Sequence, residues 1–269
     1  MAKKKQIFLV LIAVFCLLFF GGTKFAPPFG GKALPILMYH DLCPDDQTPG
    51  RYTVTASQFR SDMEWLKQNG YTTLVAADLV VAQESGQLPE KPILITFDDG
   101  YLSNYTIAYP ILAELDMKAT VCVVGSMLDQ WVPDYMSWND ARTLQASGVI
   151  DIQSHTYALH DFANGDEIWP PYAMGVYRLE GESKEDYQAR FAADTALMRE
   201  RLTAIGGELL LHAYPFGLCD PWSIEILKEN GVCVTLLTAD RIHRYDGDLY
   251  SMTRMEVTSA RTVKDIFET

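Results

Sequence analysis

The stretch Pro92-Ile93-Leu94-Ile95-Thr96-Phe97-Asp98-Asp99-Gly100 joins a buried strand to two adjacent carboxylates. Residues 92–97 are apolar or β-branched, which is typical of a strand that is covered on both faces in a parallel sheet. Gly100 then allows a sharp turn at the carboxyl end of that strand, which is where α/β folds keep their chemistry. Because neighbouring carboxylates repel each other, Asp98 and Asp99 are open to two interpretations. They form either a solvated turn or a metal ligand next to a free base.

A second strand-like segment, residues 149–153, is followed by two histidines, His155 and His160, in a chain that contains only five. Two imidazoles and one carboxylate are a common ligand set for a catalytic metal ion, with further positions left for water and substrate. A third such segment, residues 209–217, ends in aromatic residues, a proline and a glycine. Three strand ends that meet at one rim would form a single pocket, so we favour the metal site over the solvated turn.

Segments predicted as strands alternate with segments predicted as helices along the chain. Strands are predicted over residues 36–39, 71–75, 92–97, 119–124, 149–153, 209–211, 232–237 and 252–257. Helices are predicted over residues 57–69, 77–84, 103–115, 138–146, 183–205 and 221–230. This alternation indicates an α/β fold of right-handed βαβ units around a parallel sheet, which closes into a barrel when it is repeated. We find neither an internal repeat nor a second domain, and we interpret residues 162–181 as a long irregular insertion.

In their order and spacing, these motifs resemble those of a known family, the polysaccharide deacetylases of carbohydrate esterase family 4. The first motif of that family is matched by residues 96–100, the second by His155-Thr156 with His160, and the third is approximated by Ala213-Tyr214-Pro215-Phe216. The resemblance extends from about residue 35 to about residue 257. Residues 154–160 are most similar to the branch that contains the biofilm poly-β-1,6-N-acetylglucosamine deacetylases. The resemblance implies a single catalytic domain, residues 35–269, with the distorted (β/α)7 barrel of the polysaccharide deacetylase type.

The resemblance also implies roles for the site residues. Asp99, His155 and His160 would bind one divalent ion, Zn²⁺ in preference to Co²⁺, Ni²⁺ or Mn²⁺, which lowers the pKa of a bound water. Asp98 would take the proton of that water as it attacks the acetyl group of an N-acetylglucosamine unit, and the backbone N–H of Tyr214 would bind the oxyanion. The implied enzyme is a hydrolase of amide bonds, an N-deacetylase that acts on a polysaccharide containing N-acetylglucosamine, first of all poly-β-1,6-N-acetylglucosamine.

Aromatic residues near the motifs are candidates for substrate binding, because flat rings stack on the faces of pyranose sugars. The candidates are Tyr157, Trp169, Tyr214 and Phe216. For most aromatic residues, packing in the core is the alternative role. Tyr214 and Phe216 differ from the others because they belong to the third motif itself.

The chain departs from the family pattern in the second and third motifs. His155 and His160 are five residues apart, where the common spacing is four. On a helix this spacing would turn them to different faces, so we expect them on an irregular loop, as in the biofilm branch. Ala213 stands where the family has an arginine that orients the catalytic aspartate. Arg254, close to the predicted last strand, is our candidate for the missing partner of Asp98.

Two histidines are candidates for the general acid, because the family's C-terminal histidine has no clear counterpart. His40 follows the first apolar run and is expected at the end of a strand. The alternative for His40 is a structural role that positions the metal site. His243 lies in the right part of the chain, but its neighbours, Arg241-Ile242-His243-Arg244-Tyr245, predict a loop. We therefore favour His40.

Other functions are compatible with parts of this pattern. A glycoside hydrolase would also use two carboxylates, but they stand about 5–10 Å apart across the scissile bond, and Asp98 and Asp99 are adjacent. A non-catalytic glycan-binding relative is expected to lose a metal ligand or the base, and none is lost. Peptidoglycan or chitin-like oligomers remain the alternative substrates, because linkage specificity depends on the shape of the groove.

The N-terminus predicts export. Three lysines at positions 3–5 precede an apolar run over residues 7–20, which fits a signal peptide or signal anchor within residues 1–24. No small-residue cleavage site follows, so we favour the anchor, with residues 25–34 as a linker. The lysines place the N-terminus in the cytoplasm and the catalytic domain outside, tied to the membrane through this segment only. The net charge of −13 argues against nucleic acid and anionic membrane surfaces as partners. We expect a monomer.

Overall fold

A ring of parallel strands dominates the computed structural model, which describes residues 31–130, 132–160, 175–245 and 247–268. The strands of these residues are β1 (Lys32–Leu34), β2 (Ile36–Tyr39), β3 (Asp41–Cys43), β4 (Thr53–Thr55), β5 (Thr72–Leu74), β6 (Pro92–Asp99), β7 (Ala119–Val123), β8 (Ile150–Ser154), β9 (Leu211–Ala213), β10 (Val234–Thr238), β11 (His243–Tyr245) and β12 (Met252–Glu256). The α-helices of these residues are α1 (Ala56–Gln68), α2 (Ala76–Ser85), α3 (Tyr109–Glu114), α4 (Gly125–Asp129), α5 (Trp138–Ser147), α6 (Lys184–Ala204), α7 (Pro221–Glu229) and α8 (Val263–Glu268).

Seven strands close into a barrel. They are β2, β6, β7, β8, β9, β10 and β12, each paired in parallel with the next, and β12 pairs with β2 to complete the ring. Because every strand runs in the same direction, all seven carboxyl ends lie at one rim. The predicted (β/α)7 barrel in a single domain is therefore confirmed. Strand β5 pairs with the first half of β6 and lies outside the ring.

The alternation of side chains along β6 separates two apolar layers. Ile95 and Phe97 point outwards and pack in the larger cluster, which includes residues of the surrounding helices. Leu94 belongs to the smaller cluster, which fills the barrel together with residues of β9, β10 and β12. Asp98 lies four residues after Leu94 and points to the same side. Its carboxylate therefore lies in the barrel interior, near the carboxyl ends of the strands.

The predicted helices and strands of the barrel domain are confirmed, with ends shifted by a few residues. Helix α5 shows why its ends were predictable. The Ser137 side chain accepts a hydrogen bond from the Asp140 N–H, the Asp140 carboxylate accepts one from the Ser137 N–H, and Gly148 ends the helix with a φ of 70°. The predicted helix over 103–115 begins instead as a π-helical turn, Asn104–Ala108. Its first residue, Asn104, donates a side-chain hydrogen bond of 2.9 Å to the carbonyl of His40.

The prediction of a loop around His243 is wrong. Residues 243–245 form β11, which pairs antiparallel with β1. Strand β1 lies at the end of the segment predicted as a linker, so the folded part of the chain includes residues 32–34. The loop prediction failed because the pairing partner lies about 200 residues earlier in the chain.

Three predicted segments lie wholly or mostly outside the described ranges. They are the leader, residues 1–24, the first part of the linker, residues 25–30, and residues 162–174 of the long insertion, which include Trp169. Within the described ranges, we find no helix whose length and apolar character would let it cross a bilayer.

The turn after β9 depends on a glycine. Gly217 has a φ of 70°, and a Cβ built there would lie 2.7 Å from the backbone nitrogen of Thr238. We expect Gly217→Ala to lower the free energy of unfolding by about 2–4 kcal/mol, because strain in the left-handed region adds to a backbone clash. Gly181→Ala is the matched control, since Gly181 has a φ of 76° but nothing within 4 Å of the added Cβ. Urea unfolding of the two variants measures the difference, and equal losses would show that crowding at Thr238 has no effect.

Candidate active site

The carboxyl rim of the barrel brings the predicted metal ligands together. Asp99 ends β6, His155 follows β8 directly, and His160 lies five residues further along the same loop. Asp99 has a φ of 73°, in the left-handed region. This turn breaks the alternation of the strand, and Asp98 and Asp99 both line the same cavity.

The three side chains converge within metal-binding distance of one another. One ligand atom each of Asp99, His155 and His160 lies within 4.8 Å of the other two. Asp99 Oδ1 is 3.6 Å from His155 Nε2 and 3.2 Å from His160 Nε2. Asp99 Oδ1 is buried, and although burial alone would raise the pKa of Asp99, the neighbouring His160 and His155 rings hold it below its usual range. A carboxylate and two imidazoles in this arrangement fit a divalent metal ion.

A backbone hydrogen bond and burial together leave the His155 imidazole in a form that can bind a metal ion. Its Nδ1 lies 2.8 Å from the carbonyl oxygen of Ala213, and since a carbonyl only accepts, Nδ1 must carry the hydrogen. The lone pair is thereby left on Nε2, which faces Asp99, in the arrangement usual for metal-bound histidines. Burial lowers the pKa of His155 to about 4, against the opposing effect of Asp98. The imidazole is therefore neutral near pH 7 and able to bind a metal.

Asp98 forms a buried bidentate ion pair with Arg254. Arg254 Nη1 donates to Asp98 Oδ1 at 2.6 Å and Nη2 to Oδ2 at 2.8 Å. Arg254 is fully buried, and Asp98 is 2% exposed. Burial alone would raise the pKa of Asp98, but the Arg254 guanidinium, with His155 adding to its effect, holds it well below its usual range. Arg254 is thus confirmed as the partner that replaces the arginine missing at Ala213.

The same cavity contains His40 but not His243. It has a volume of about 500 Å³ and is lined by Met38, His40, Arg51, Tyr52, Asp98, Asp99, His155, His160, Phe216, Thr238 and Glu256. His243 lines a different cavity together with Arg241 and Arg244. Of the two candidates for the general acid, only His40 therefore lies near the reacting groups.

Two larger cavities, of about 790 and 660 Å³, lie near the amino ends of the strands, where residues 149 and 210 precede β8 and β9. Neither contains a residue predicted for the site. We place the chemistry in the smaller cavity, because the metal donors and the paired aspartate are found there.

The predicted aromatic residues have different positions. Phe216 lines the cavity, is 49% exposed, and its ring centroid lies 5.0 Å from that of His160. The Tyr157 side chain is not part of the cavity lining, and its hydroxyl donates to Asp129 at 2.6 Å. Trp169 lies outside the described residues.

The role predicted for Tyr214 is corrected. Its side chain is fully buried, and its hydroxyl is 2.6 Å from the Ser223 hydroxyl, so the ring cannot stack on a sugar. Its backbone N–H donates to the Leu236 carbonyl at 3.0 Å, within the pairing of β9 and β10. That N–H is therefore already used by the sheet and is not available to an oxyanion.

Five residues that line the cavity were not predicted for the site, namely Met38, Arg51, Tyr52, Thr238 and Glu256. Tyr52, which is 46% exposed, packs its ring at 5.1 Å from His40, and it carries no motif signal in the loop before β4. Glu256 lies two residues beyond Arg254 on the same strand. The period of two along a strand could have placed it on the same face as Arg254.

The protein is thus a parallel (β/α)7 barrel with a carboxylate and two imidazoles at its carboxyl rim that could hold a metal ion. Residues 85–235 match the family model for polysaccharide deacetylase. The match covers more than half of the chain, and the chain belongs to the polysaccharide deacetylase family.

Relatives and solved structures agree with this assignment. The poly-β-1,6-N-acetyl-D-glucosamine N-deacetylase of Escherichia coli O157:H7 is 28% identical over 243 residues, which are 78% of this chain and 36% of that protein. The protein of the same name from Staphylococcus epidermidis is 24% identical over 222 residues, 81% of this chain and 71% of that protein. The chain thus spans little more than a third of the length of the E. coli relative.

IcaB from Ammonifex degensii superimposes with a TM-score of 0.72 at 27% identity, covering 88% of this chain and 96% of that one. A de-N-acetylase from Aggregatibacter actinomycetemcomitans has a TM-score of 0.75 at 24% identity, covering 88% and 99% of the two chains. The second likeness supports the fold alone.

The ion pair makes stability depend on pH. In Arg254→Met the Asp98 carboxylate stays buried without its partner, and we expect a loss of roughly 3–5 kcal/mol in the free energy of unfolding at pH 7. In the wild type, the stabilisation from the lowered pKa of Asp98 is present above the unfolded value of about 3.9 and is lost as the pH falls below it. In the variant, burial raises the pKa of Asp98, so acid protonates the carboxylate and removes the penalty. The difference in the free energy of unfolding between the wild type and Arg254→Met should therefore shrink from pH 7 towards pH 4. Urea unfolding in the presence of a chelator measures this difference.

The control is the double variant Asp98→Asn/Arg254→Met, in which no buried charge is left alone. At pH 7 it should recover part of the free energy of unfolding that Arg254→Met loses. Its difference in stability from the wild type should also change less with pH. If Arg254→Met lowered the free energy of unfolding by the same amount at pH 7 and at pH 4, the assignment of the ion pair would be contradicted.

Proposed function

We propose that the protein is a metal-dependent N-deacetylase that removes acetyl groups from the N-acetylglucosamine units of an extracellular polysaccharide, namely poly-β-1,6-N-acetylglucosamine. The observation that carries the proposal is the joint presence, in one cavity, of the Asp99, His155 and His160 donor set and the Arg254-paired Asp98. The names of the bacterial relatives support the choice of polymer. Their modest identity leaves the linkage as part of the proposal.

Asp99, His155 and His160 would hold the divalent ion, for which zinc is the proposed identity. When bound, the ion acts as a Lewis acid that activates water and the acetyl carbonyl near neutral pH. Asp98 borders this donor set, with Oδ2 at 3.8 Å from His155 Nε2. Because Arg254 keeps Asp98 ionised and fixes both of its oxygens, the carboxylate is available to accept the proton of the attacking water.

His40 is proposed as the group that protonates the leaving amine. Water adds its oxygen to the acetyl carbon, the C–N bond breaks, and the nitrogen of the sugar takes a proton as acetate leaves. His40 lines the cavity that contains Asp98, and Asn104 fixes its backbone carbonyl. Among the other residues that line the cavity, Arg51, Tyr52 and Phe216 suit the binding of a sugar.

The rim of the cavity supports a polymer as substrate. Tyr52 and Phe216 are both about half exposed there, and aromatic faces stack well on pyranose rings. An exported enzyme, held at the membrane by the predicted N-terminal segment, would meet such a polymer outside the cell. This location is part of the proposal.

The first experiment measures acetate release by the protein with added Zn²⁺, Co²⁺ or Ni²⁺ and with chelator. The substrates are β-1,6-linked and β-1,4-linked N-acetylglucosamine oligomers and peptidoglycan. We expect metal-dependent release, fastest from the β-1,6 oligomers. Asp98→Asn should abolish turnover and still bind the metal, because Asp99 and both histidines are intact. Release from another polymer alone would replace the proposed substrate, and release that is insensitive to chelator would refute the metal-dependent mechanism.

The general acid is tested with a pair of histidine variants. His40→Gln should lower kcat by about 10²–10⁴-fold, the usual contribution of general acid–base catalysis, while metal binding stays the same. His243→Gln serves as the matched control and should leave kcat within about twofold, because His243 lies on β11 outside the catalytic cavity. If His40→Gln weakened metal binding instead of turnover, His40 would have the structural role.

A further inference from the structure

The loop that holds His160 has an irregular backbone. Four residues lie between His155 and His160, and the first of them, Thr156, has a φ of 71°. In such a segment the peptide groups form neither a helix nor a strand ladder, so they need other hydrogen-bond partners. Those partners lie in two helices that contain none of the family's motifs.

The first partner is the carboxylate of Asp194 in helix α6. Asp194 Oδ1 accepts a hydrogen bond of 2.8 Å from the backbone N–H of Tyr157, and Oδ2 accepts one of 2.7 Å from the N–H of Ala158. Both oxygens of one ionised group are thus used on two consecutive peptide groups of the loop. Charge-assisted hydrogen bonds of this length are among the strongest in proteins.

The second partner is the first turn of helix α4, on the other side of the loop. Ser126 N–H donates to the Tyr157 carbonyl at 2.7 Å, and Gly125 N–H donates to the Thr156 carbonyl at 3.2 Å. The Tyr157 ring lies against Gly125, where an added Cβ would come within 2.5 Å of the ring. The Tyr157 peptide is therefore held by its N–H from α6 and by its carbonyl from α4.

We infer that Asp194 is a positioning residue for the metal site, one that fixes the loop so that His160 is preorganised next to Asp99. His155 directly follows β8 and is held separately by the Ala213 carbonyl. His160 lies at the far end of the loop that follows β8, beyond the two peptide groups that Asp194 holds. Without Asp194, two backbone N–H groups lose their acceptor, and the loop must be ordered again each time a metal ion binds. The inference rests on the metal site of the proposed function.

The test is the dissociation constant for Zn²⁺, measured by competition with a chelator of known affinity. We expect Asp194→Ala to raise it by about 10–100-fold, the usual effect of removing a residue that supports a metal ligand. The matched control is Glu200→Ala, because Glu200 is an exposed carboxylate six residues further along α6. It removes the same charge from the same helix and should change the dissociation constant less than twofold.

A second variant and a double-mutant cycle separate positioning from general destabilisation. Asp194→Asn keeps the size of the side chain but only one acceptor oxygen, so we expect an intermediate loss of Zn²⁺ affinity. This variant keeps the inference testable if Asp194→Ala does not fold. In a His160→Ala background, Asp194→Asn should cause little further loss, because the loop then has no ligand to position. Unchanged affinity in the folded Asp194 variants, or effects that add to that of His160→Ala, would overturn the inference.

The outcomes also distinguish this inference from the proposed function. Zn²⁺ binding by the wild type with unchanged affinity in the Asp194 variants overturns the inference alone. A second outcome is that the wild type binds Zn²⁺ and the Asp194 variants bind it more weakly, but the wild type releases no acetate from any of the polymers. This result would overturn the proposed activity and leave the inference standing. Failure of the wild type to bind Zn²⁺ would overturn both.

Discussion

The ion pair between Asp98 and Arg254 is the constraint on which the site depends. It joins β6 to β12 inside the closed barrel, where Arg254 is fully buried and Asp98 nearly so. Removing two charges from water is costly, and the bidentate geometry, with both carboxylate oxygens accepting at 2.6 and 2.8 Å, compensates for much of that cost. The result is a carboxylate that stays ionised although it is buried.

This pairing gives two adjacent carboxylates different roles. Asp98 points into the barrel, where its charge is balanced by the Arg254 guanidinium. Asp99 adopts a left-handed φ of 73° and turns towards the two histidines. Two ionised carboxylates in sequence would otherwise repel each other at close range. One carboxylate is bound by a guanidinium, and the other faces two imidazoles with which it could share a metal ion. Asp99 is thereby left to the metal site.

The sequence predicts local features better than distant ones. The barrel strands, the capped helix α5 and the three metal donors each leave a signal within a few residues of the chain, and the structure brings them together as expected. Arg254 was only a candidate, because its contact with Asp98 depends on the register of strands about 150 residues apart. The strand at His243 and the support from Asp194 were missed for the same reason. The role given to Tyr214 was wrong because a motif does not reveal which N–H groups the sheet already uses.

The absence of the motif arginine at Ala213 can be understood from the same geometry. Position 213 contributes its backbone carbonyl, which holds the His155 imidazole in the metal-binding tautomer, and any residue can supply a carbonyl. The positive charge that Asp98 needs comes instead from β12, on the other side of β2. A small side chain at position 213 also fits the apolar cluster within the barrel, where Ala213 is fully buried. An arginine there would have to enter a space that the apolar cluster fills. With Ala213 in the third motif, the positive charge comes from another strand and Asp98 keeps its partner.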